Sequence, residues 1–237
     1  MIYSFMKKCL MCQEGLNELI TLRKILFFIK LQQESICKDC RDKFNPLTNQ
    51  IVCEGCGRIS FEKGYCNDCI NWKKIEPTAT LNHQSLFEYN DWMKEWIEGF
   101  KFKGNYQLGC VFSEELKKFI YLKKQQGFLV APIPSSQHSY ANRGFNQVEA
   151  LLDFAKVTYQ SILLNESQEM KQSSKNRQER LLLKQPFSIK KEWQGKLEGK
   201  SIFLVDDVYT TGRTILYAKK LIEDSGASLV RSVSLAR

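Results

Sequence analysis

The apolar positions fall into two kinds of run. Two runs are short and unbroken. Residues 202–205 are wholly apolar, the length of one strand buried on both faces, and stop abruptly at Asp206-Asp207. Residues 127–133 read as a second such strand, running into Pro132-Ile-Pro-Ser-Ser136. The other runs recur at helical spacing. Trp92, Trp96, Ile97 and Phe100 do so within 89–103, and Phe112, Leu116, Phe119 and Ile120 within 111–121. Val148, Leu151, Leu152 and Ala155 form a third set, and residues 215–222 a fourth. Their aromatics read as core rather than as a base-stacking platform. Residues 228–235 alternate like a last strand. Buried strands separated by amphipathic helices predict an α/β fold with a mainly parallel sheet.

Between the acidic end of the 202–205 run and the helix after it stand Val208, Tyr209, Thr210, Thr211, Gly212, Arg213 and Thr214. Strand, polar loop, helix is a layout that binds phosphate at the carboxyl edge of a parallel sheet. Gly212 lets backbone approach an anion, successive N–H groups form a nest, and the threonine hydroxyls add donors. Asp206 and Asp207 repel phosphate but suit sugar hydroxyls, which need acceptors. A diol site followed by a phosphate site describes a ribose 5-phosphate. The plain alternative is an acidic turn followed by a threonine N-cap. The string resembles the PRPP (phosphoribosyl pyrophosphate) loop of type I phosphoribosyltransferases. That resemblance implies Asp206 and Asp207 as the catalytic pair on the ribose hydroxyls, with residues 208–214 around the sugar phosphate. It also implies Mg²⁺ bridging the diol and pyrophosphate. The turn after the other strand would take pyrophosphate on Ser135 and Ser136. Arg143, read here as lying near the start of the next helix, is expected to face the anion, because a cation there otherwise opposes the helix dipole. His138 reads as a loop histidine or a further donor, and Cys110 as a small buried hydrophobe.

The first third of the chain carries different chemistry. Cysteines fall as Cys9-x-x-Cys12, Cys37-x-x-Cys40, Cys53-x-x-Cys56 and Cys66-x-x-Cys69. A C-x-x-C turn points two thiolates at one tetrahedral metal, and two turns complete a closed structural site with no position left for water. Two structural Zn²⁺ ions are expected, paired either sequentially or cross-braced. A thioredoxin-like redox pair expects a single C-x-x-C opening a helix. Residues 19–31 lie inside the longer spacer and read as a hairpin or short helix. The expected division is 1–76 for this double zinc-ribbon module and 77–237 for the α/β domain.

At 237 residues, with 43% hydrophobic and 26% charged positions, the chain is an ordinary globular composition with room for one good core and a small satellite. No apolar run is long enough to cross a bilayer and the N-terminus lacks a signal-peptide pattern, so a cytoplasmic protein without membrane insertion is expected. The net charge of +9 falls to about +5 if two tetrathiolate zinc sites form, a weak lean toward a phosphate-bearing partner. Between 171 and 191 there are seven basic residues and one acidic one, Glu179, with amides and serines interleaved. Leu181, Leu182 and Leu183 suggest a short docking helix there. Lys101, Lys103, Lys171, Lys175, Arg177, Arg180 and Lys184 are the candidate nucleic-acid contacts. A solvated basic loop is the competing reading.

Taken in order, the paired cysteines, the strand ending in Pro-x-Pro, Arg143-Gly-Phe-Asn-Gln147, the basic Gln/Arg segment and Asp-Asp-x-x-Thr-Thr-Gly resemble the ComF family. These are late competence proteins built from a double zinc ribbon and a phosphoribosyltransferase-like domain. The likeness spans almost the whole chain. It departs from the family between 135 and 142, where His138 stands in place of a basic residue or two. The resemblance implies an accessory protein of DNA uptake in natural transformation, with PRPP, single-stranded DNA and a competence helicase (ComFA-like) as partners. A working phosphoribosyltransferase and a zinc-ribbon adaptor with a vestigial sugar site are the rival readings. After Thr214 come Ile215, Leu216, Tyr217, Ala218 and two lysines, which name no acceptor base.

Overall fold

The computed structural model describes residues 7–16, 35–75, 81–167 and 185–237. Its centre is a four-stranded sheet in which every neighbouring pair is parallel. The strands are β1 (His83–Phe87), β2 (Leu129–Pro132), β5 (Ser201–Val208) and β6 (Leu229–Ala236), in the order β1-β6-β5-β2. The two central strands, β5 and β6, carry the near-continuous apolar sequence that burial on both faces demands. β6 therefore shows little of the expected alternation. β5 also outlasts its apolar run. It continues to Val208, because β6 lies alongside as far as Ala236 and supplies partners, with Asp206 opposite Ser234. The two carboxylates thus sit on strand, not in the loop.

Each face has its own core. On one pack α3 (Asp91–Lys101), a 3-10 turn (Tyr106–Phe112), α4 (Ser113–Gln125) and α6 (Gln147–Phe154), meeting Phe203 and Val205. Asn90 caps α3, its Oδ1 accepting from Met93 N at 2.9 Å. The aromatics read as core are core: Trp96, Phe100 and Phe112 are fully buried and ring-packed. On the other face α7 (Arg213–Asp224) and the antiparallel pair β3 (Leu163–Asn165) and β4 (Phe187–Ile189) meet Ile202 and Leu204. Cys110 is only half-buried.

The cysteine-bearing segments wrap the β1 edge. Pro46 bridges Phe87, Leu47 N donates to Leu86 O, and His83 N donates to Gly55 O. An edge strand that would otherwise expose unpaired backbone groups is covered. Isolated antiparallel bridges, Lys8 to Gly15 and Val52 to Ile59, close two small hairpins around Cys9-x-x-Cys12 and Cys53-x-x-Cys56. The helix α1 (Lys38–Arg41) follows Cys37, and α2 (Asn67–Ile75) carries Cys69. Cys9 and Cys40 join the α3 face, while Cys53, Cys56 and Cys69 join the α7 face. The expected segment at 19–31, the boundary at 76–77 and the helix at 181–183 lie outside the described residues. No helix among the described residues is long and apolar enough to cross a membrane.

Candidate functional site

The carboxyl ends of β2 and β5 open into one cleft of about 310 Å³, bordered by the loop into α7 and the start of α6. On the β5 side, Asp206 Oδ1 accepts from Asp207 N at 2.9 Å, and Asp207 Oδ1 from Val208 N at 2.6 Å. Lys101, the last residue of α3, reaches Asp207 Oδ2 at 2.6 Å. Burial, with the neighbouring Asp207 charge behind it, pushes the Asp206 carboxyl up to about 7, against the pull of Lys101. A carboxylate pair with one lysine is a site short of positive charge, and a divalent cation with sugar hydroxyls fits that donor set.

The loop beyond is shaped by Tyr209 and Gly212. Gly212 has φ 78°, and a methyl group there would lie 2.0 Å from the Tyr209 hydroxyl. Only glycine fits this left-handed, crowded position. As N-cap it brings no side chain to the first turn of α7, so the orphan amides of that turn stay available to an anion. Tyr209 is itself buried and its ring lies 4.5 Å from that of His83. His83 is held by the hydroxyls of Ser232, Ser85 and Ser234, and burial drops it to about 3, so it is neutral. Behind the loop, Trp72 Nε1 donates to Thr211 O at 3.0 Å.

The β2 side supplies the opposite wall. Ser135 Oγ donates to Gln147 Oε1 at 2.9 Å, which leaves the Gln147 amide nitrogen buried in the cleft lining with no partner. Ser136 does not line the cleft. It caps α5 (Gln137–Arg143), accepting from Ser139 N at 3.1 Å. Arg143 does line it, but for a different reason from the one expected. It is the last residue of α5, where the dipole favours a cation, and Gly144 at φ 80° ends the helix behind it. Its guanidinium lies over the Phe102 ring, 5.2 Å from the centroid. Asn146 caps α6 instead, accepting from Val148 N at 2.9 Å.

Of the residues singled out in the sequence, Asp206, Asp207, Val208, Thr210, Thr214, Ser135 and Arg143 converge here. Tyr209 and Gly212 shape the loop from below, and Thr211 turns its carbonyl toward Trp72. Lys101, read as a nucleic-acid contact, instead sits inside the cleft on Asp207, while Lys103 is exposed. Lys171, Lys175, Arg177, Arg180 and Lys184 lie outside the described residues. Gln147 was within the quoted Arg-Gly-Phe-Asn-Gln string and could have been picked out as its closing amide. Lys101 carried no such signal.

The eight cysteines gather as two sets of four in sequential order, Cys9, Cys12, Cys37, Cys40 and Cys53, Cys56, Cys66, Cys69. The sulfurs of each set lie within 4.8 Å of one another, with Cys12 and Cys37 3.8 Å apart, Cys53 and Cys69 3.7 Å, and Cys56 and Cys66 3.6 Å. Four thiolates at the usual zinc–sulfur distance stand about 3.8 Å apart on a tetrahedron, so each set could hold a zinc ion. Burial and the adjoining thiols push Cys40 up, as expected of a cluster that needs a cation to ionise fully.

Residues 141–237 match the family described as "Phosphoribosyl transferase domain". A protein named "Competence protein ComFC" from Streptococcus pneumoniae (strain ATCC BAA-255 / R6) is 39% identical over 234 residues, covering 97% of this chain and 100% of that protein. One of the same name from Bacillus subtilis (strain 168) is 34% identical over 233 residues, covering 97% and 94%. This chain belongs to the ComFC family. A solved structure titled "Structure of the allosteric regulatory enzyme of purine biosynthesis" is similar over 53% of this chain and 26% of that one, at 18% identity and a TM-score of 0.32. A likeness of that size carries no functional weight. In this ComFC-family chain the domain match begins inside α5, so β5, its loop and α7 fall within it. Lys101, Ser135 and both cysteine clusters lie outside it, and the cleft is completed by residues on both sides of that limit.

Proposed function

We propose that this chain is an accessory protein of competence, acting in DNA uptake, whose cleft binds PRPP or a closely related ribose phosphate. The observation that carries the reading is the pair Asp206 and Asp207 at the end of a buried strand, followed by an uncapped glycine-led helix start. The carboxylates take the ribose hydroxyls, and the first-turn amides of α7 with Thr210 and Thr214 take the 5-phosphate. Ser135, Arg143 and the free amide of Gln147 stand where the pyrophosphate would lie. Mg²⁺ would be held through Asp206 and Asp207 with the ligand's own oxygens, and when bound would offset the charge of the pyrophosphate. Zinc in each cysteine cluster is structural, since all four positions are filled by cysteine. Single-stranded DNA on exposed basic side chains such as Lys103, and a competence helicase as partner, follow from the family.

A second reading is a working phosphoribosyltransferase. The unmade Gln147 amide donor supports it, because a leaving pyrophosphate that gains charge would take that bond more strongly than bound PRPP does. Calorimetric titration of the zinc-loaded protein with PRPP, with and without Mg²⁺, tests the site. Micromolar, Mg²⁺-dependent binding is expected, and no binding refutes the site assignment. Pyrophosphate release in the same sample separates enzyme from binder.

A further inference from the structure

A cleft of about 550 Å³ shares no lining residue with the sugar-phosphate cleft and lies in the size range of small-molecule sites. The first cysteine cluster supplies one wall: Ile36 and Lys38 flank Cys37, and Arg41 follows Cys40 on α1. The other wall is the junction of the 3-10 turn with α4, from Val111 to Glu115, with Lys118 one turn on. Ile36 and Val111, both buried, give the cleft an apolar floor.

The two walls meet in an ion pair that is only half made. Arg41 Nη1 donates to Glu115 Oε1 at 2.9 Å. Glu115 Oε2 is buried and has no hydrogen-bond partner. A buried carboxylate oxygen without a donor carries its desolvation cost uncompensated, and a charged N–H group brought by a ligand removes it. Arg41 leans on the Phe112 ring, 5.9 Å from its centroid, and its half-exposed guanidinium has further N–H groups to offer. Lys38 and Lys118 are exposed on the rim and have no ion pair among the described residues.

This distribution selects the ligand. A simple anion such as phosphate would leave the Glu115 acceptor unmet and be repelled by it and by Glu114. A simple amine would meet that acceptor but stand against two uncompensated lysines. A molecule that carries an ammonium and a carboxylate a few bonds apart satisfies both halves. We propose that this cleft binds a free aliphatic α-amino acid. Its ammonium donates to Glu115 Oε2, its carboxylate accepts from Arg41, Lys38 and Lys118, and its side chain lies over Ile36 and Val111. Because the cysteines of the first cluster hold one wall in place, amino acid and zinc stabilise one another there. The inference is independent of the ribose-phosphate reading.

Three probes titrated into the zinc-loaded full chain decide it: L-leucine, 4-methylpentanoate, which lacks the ammonium, and 3-methylbutylamine, which lacks the carboxylate. Leucine is expected to bind with submillimolar affinity and each analogue at least about tenfold more weakly. Glu115→Gln should bring leucine down to the level of 4-methylpentanoate. Lys38→Ala with Lys118→Ala, both at exposed positions, should weaken leucine roughly fivefold and leave 3-methylbutylamine unchanged. Leucine should also slow the loss of one of the two zinc ions to a chelator. No leucine binding, equal affinities for the three probes, or a preference for leucine that survives Glu115→Gln overturns the site. Should Glu115→Gln fail to fold, the double lysine variant decides alone, and parental leucine affinity in it overturns the site as well.

Discussion

The indole N–H of Trp72 donates to the carbonyl oxygen of Thr211 at 3.0 Å, and so ties the helix that carries Cys69 to the loop between β5 and α7. The two residues are 139 positions apart. Thr211 precedes the glycine whose conformation sets the first-turn amides of α7. The helix that carries Cys69 and the loop that leads into α7 are thereby one mechanical unit.

Trp72→Phe keeps the ring but deletes this bond, worth about 1 kcal/mol. PRPP affinity is expected to fall roughly fivefold with zinc content unchanged, read by calorimetry and metal analysis. Cys69→Ser should lose one zinc equivalent and weaken PRPP binding further. Parental affinity in Trp72→Phe would show that the loop is positioned without the indole.

Asp206 stays protonated to about pH 7 in the folded protein, whereas its ordinary value is 3.8. Its contribution to stability is therefore complete below about pH 4 and is lost as pH rises through 7. Asp206→Asn should melt with the parent at pH 4 but roughly 3 °C higher at pH 8. The same substitution should remove Mg²⁺-dependent PRPP binding, which in the parent should strengthen between pH 6 and 8. Thermal melts at the two pH values check the first part, and titrations the second. An identical pH profile in parent and variant would place the titrating group elsewhere.

Gly212→Ala asks for a methyl 2.0 Å from the Tyr209 hydroxyl at a φ of 78°. The loop must move, and PRPP affinity is expected to fall at least tenfold while both zinc ions stay bound. Adding Tyr209→Phe should not restore it, because the ring carbon beneath is only 2.5 Å from the same methyl. Restoration in that double variant would mean that the hydroxyl alone sets the loop.

Lys101 is expected to belong to the sugar site and not to a DNA surface. Lys101→Met removes the cation that holds Asp206 down, so the pH midpoint of PRPP binding should move up. The salt dependence of single-stranded DNA binding should be unchanged. Lys103→Ala, at an exposed position, should do the reverse. Titrations across pH and across salt separate the two.

What the sequence made legible follows from how local each signal is. The apolar run into Asp206-Asp207, the glycine five residues on and each C-x-x-C turn are contained in short windows, and the sheet, the loop and the gathering of the cysteines follow them; which turns pair, sequentially or cross-braced, is decided only in the structure. β1 was not visible, because His-Gln-Ser-Leu-Phe shows no apolar run; it is a strand because β6 and the cysteine hairpins lie on either side of it. Lys101 looked like any helix-end lysine, since its partner Asp207 is brought to it only by the packing of α3 on the sheet. Arg143 was placed on the wrong helix because Gly144 divides two short helices that read as one onset. Residues joined through tertiary contact leave no mark at sequence range.

The two cysteine clusters pack against opposite faces of the same sheet. A metal ion in either one is then a part of that face's core, and the shared β5 and β6 connect the two. Such a protein would respond to metal supply as a whole: its unfolding would be one cooperative transition, with a midpoint that follows the free zinc concentration.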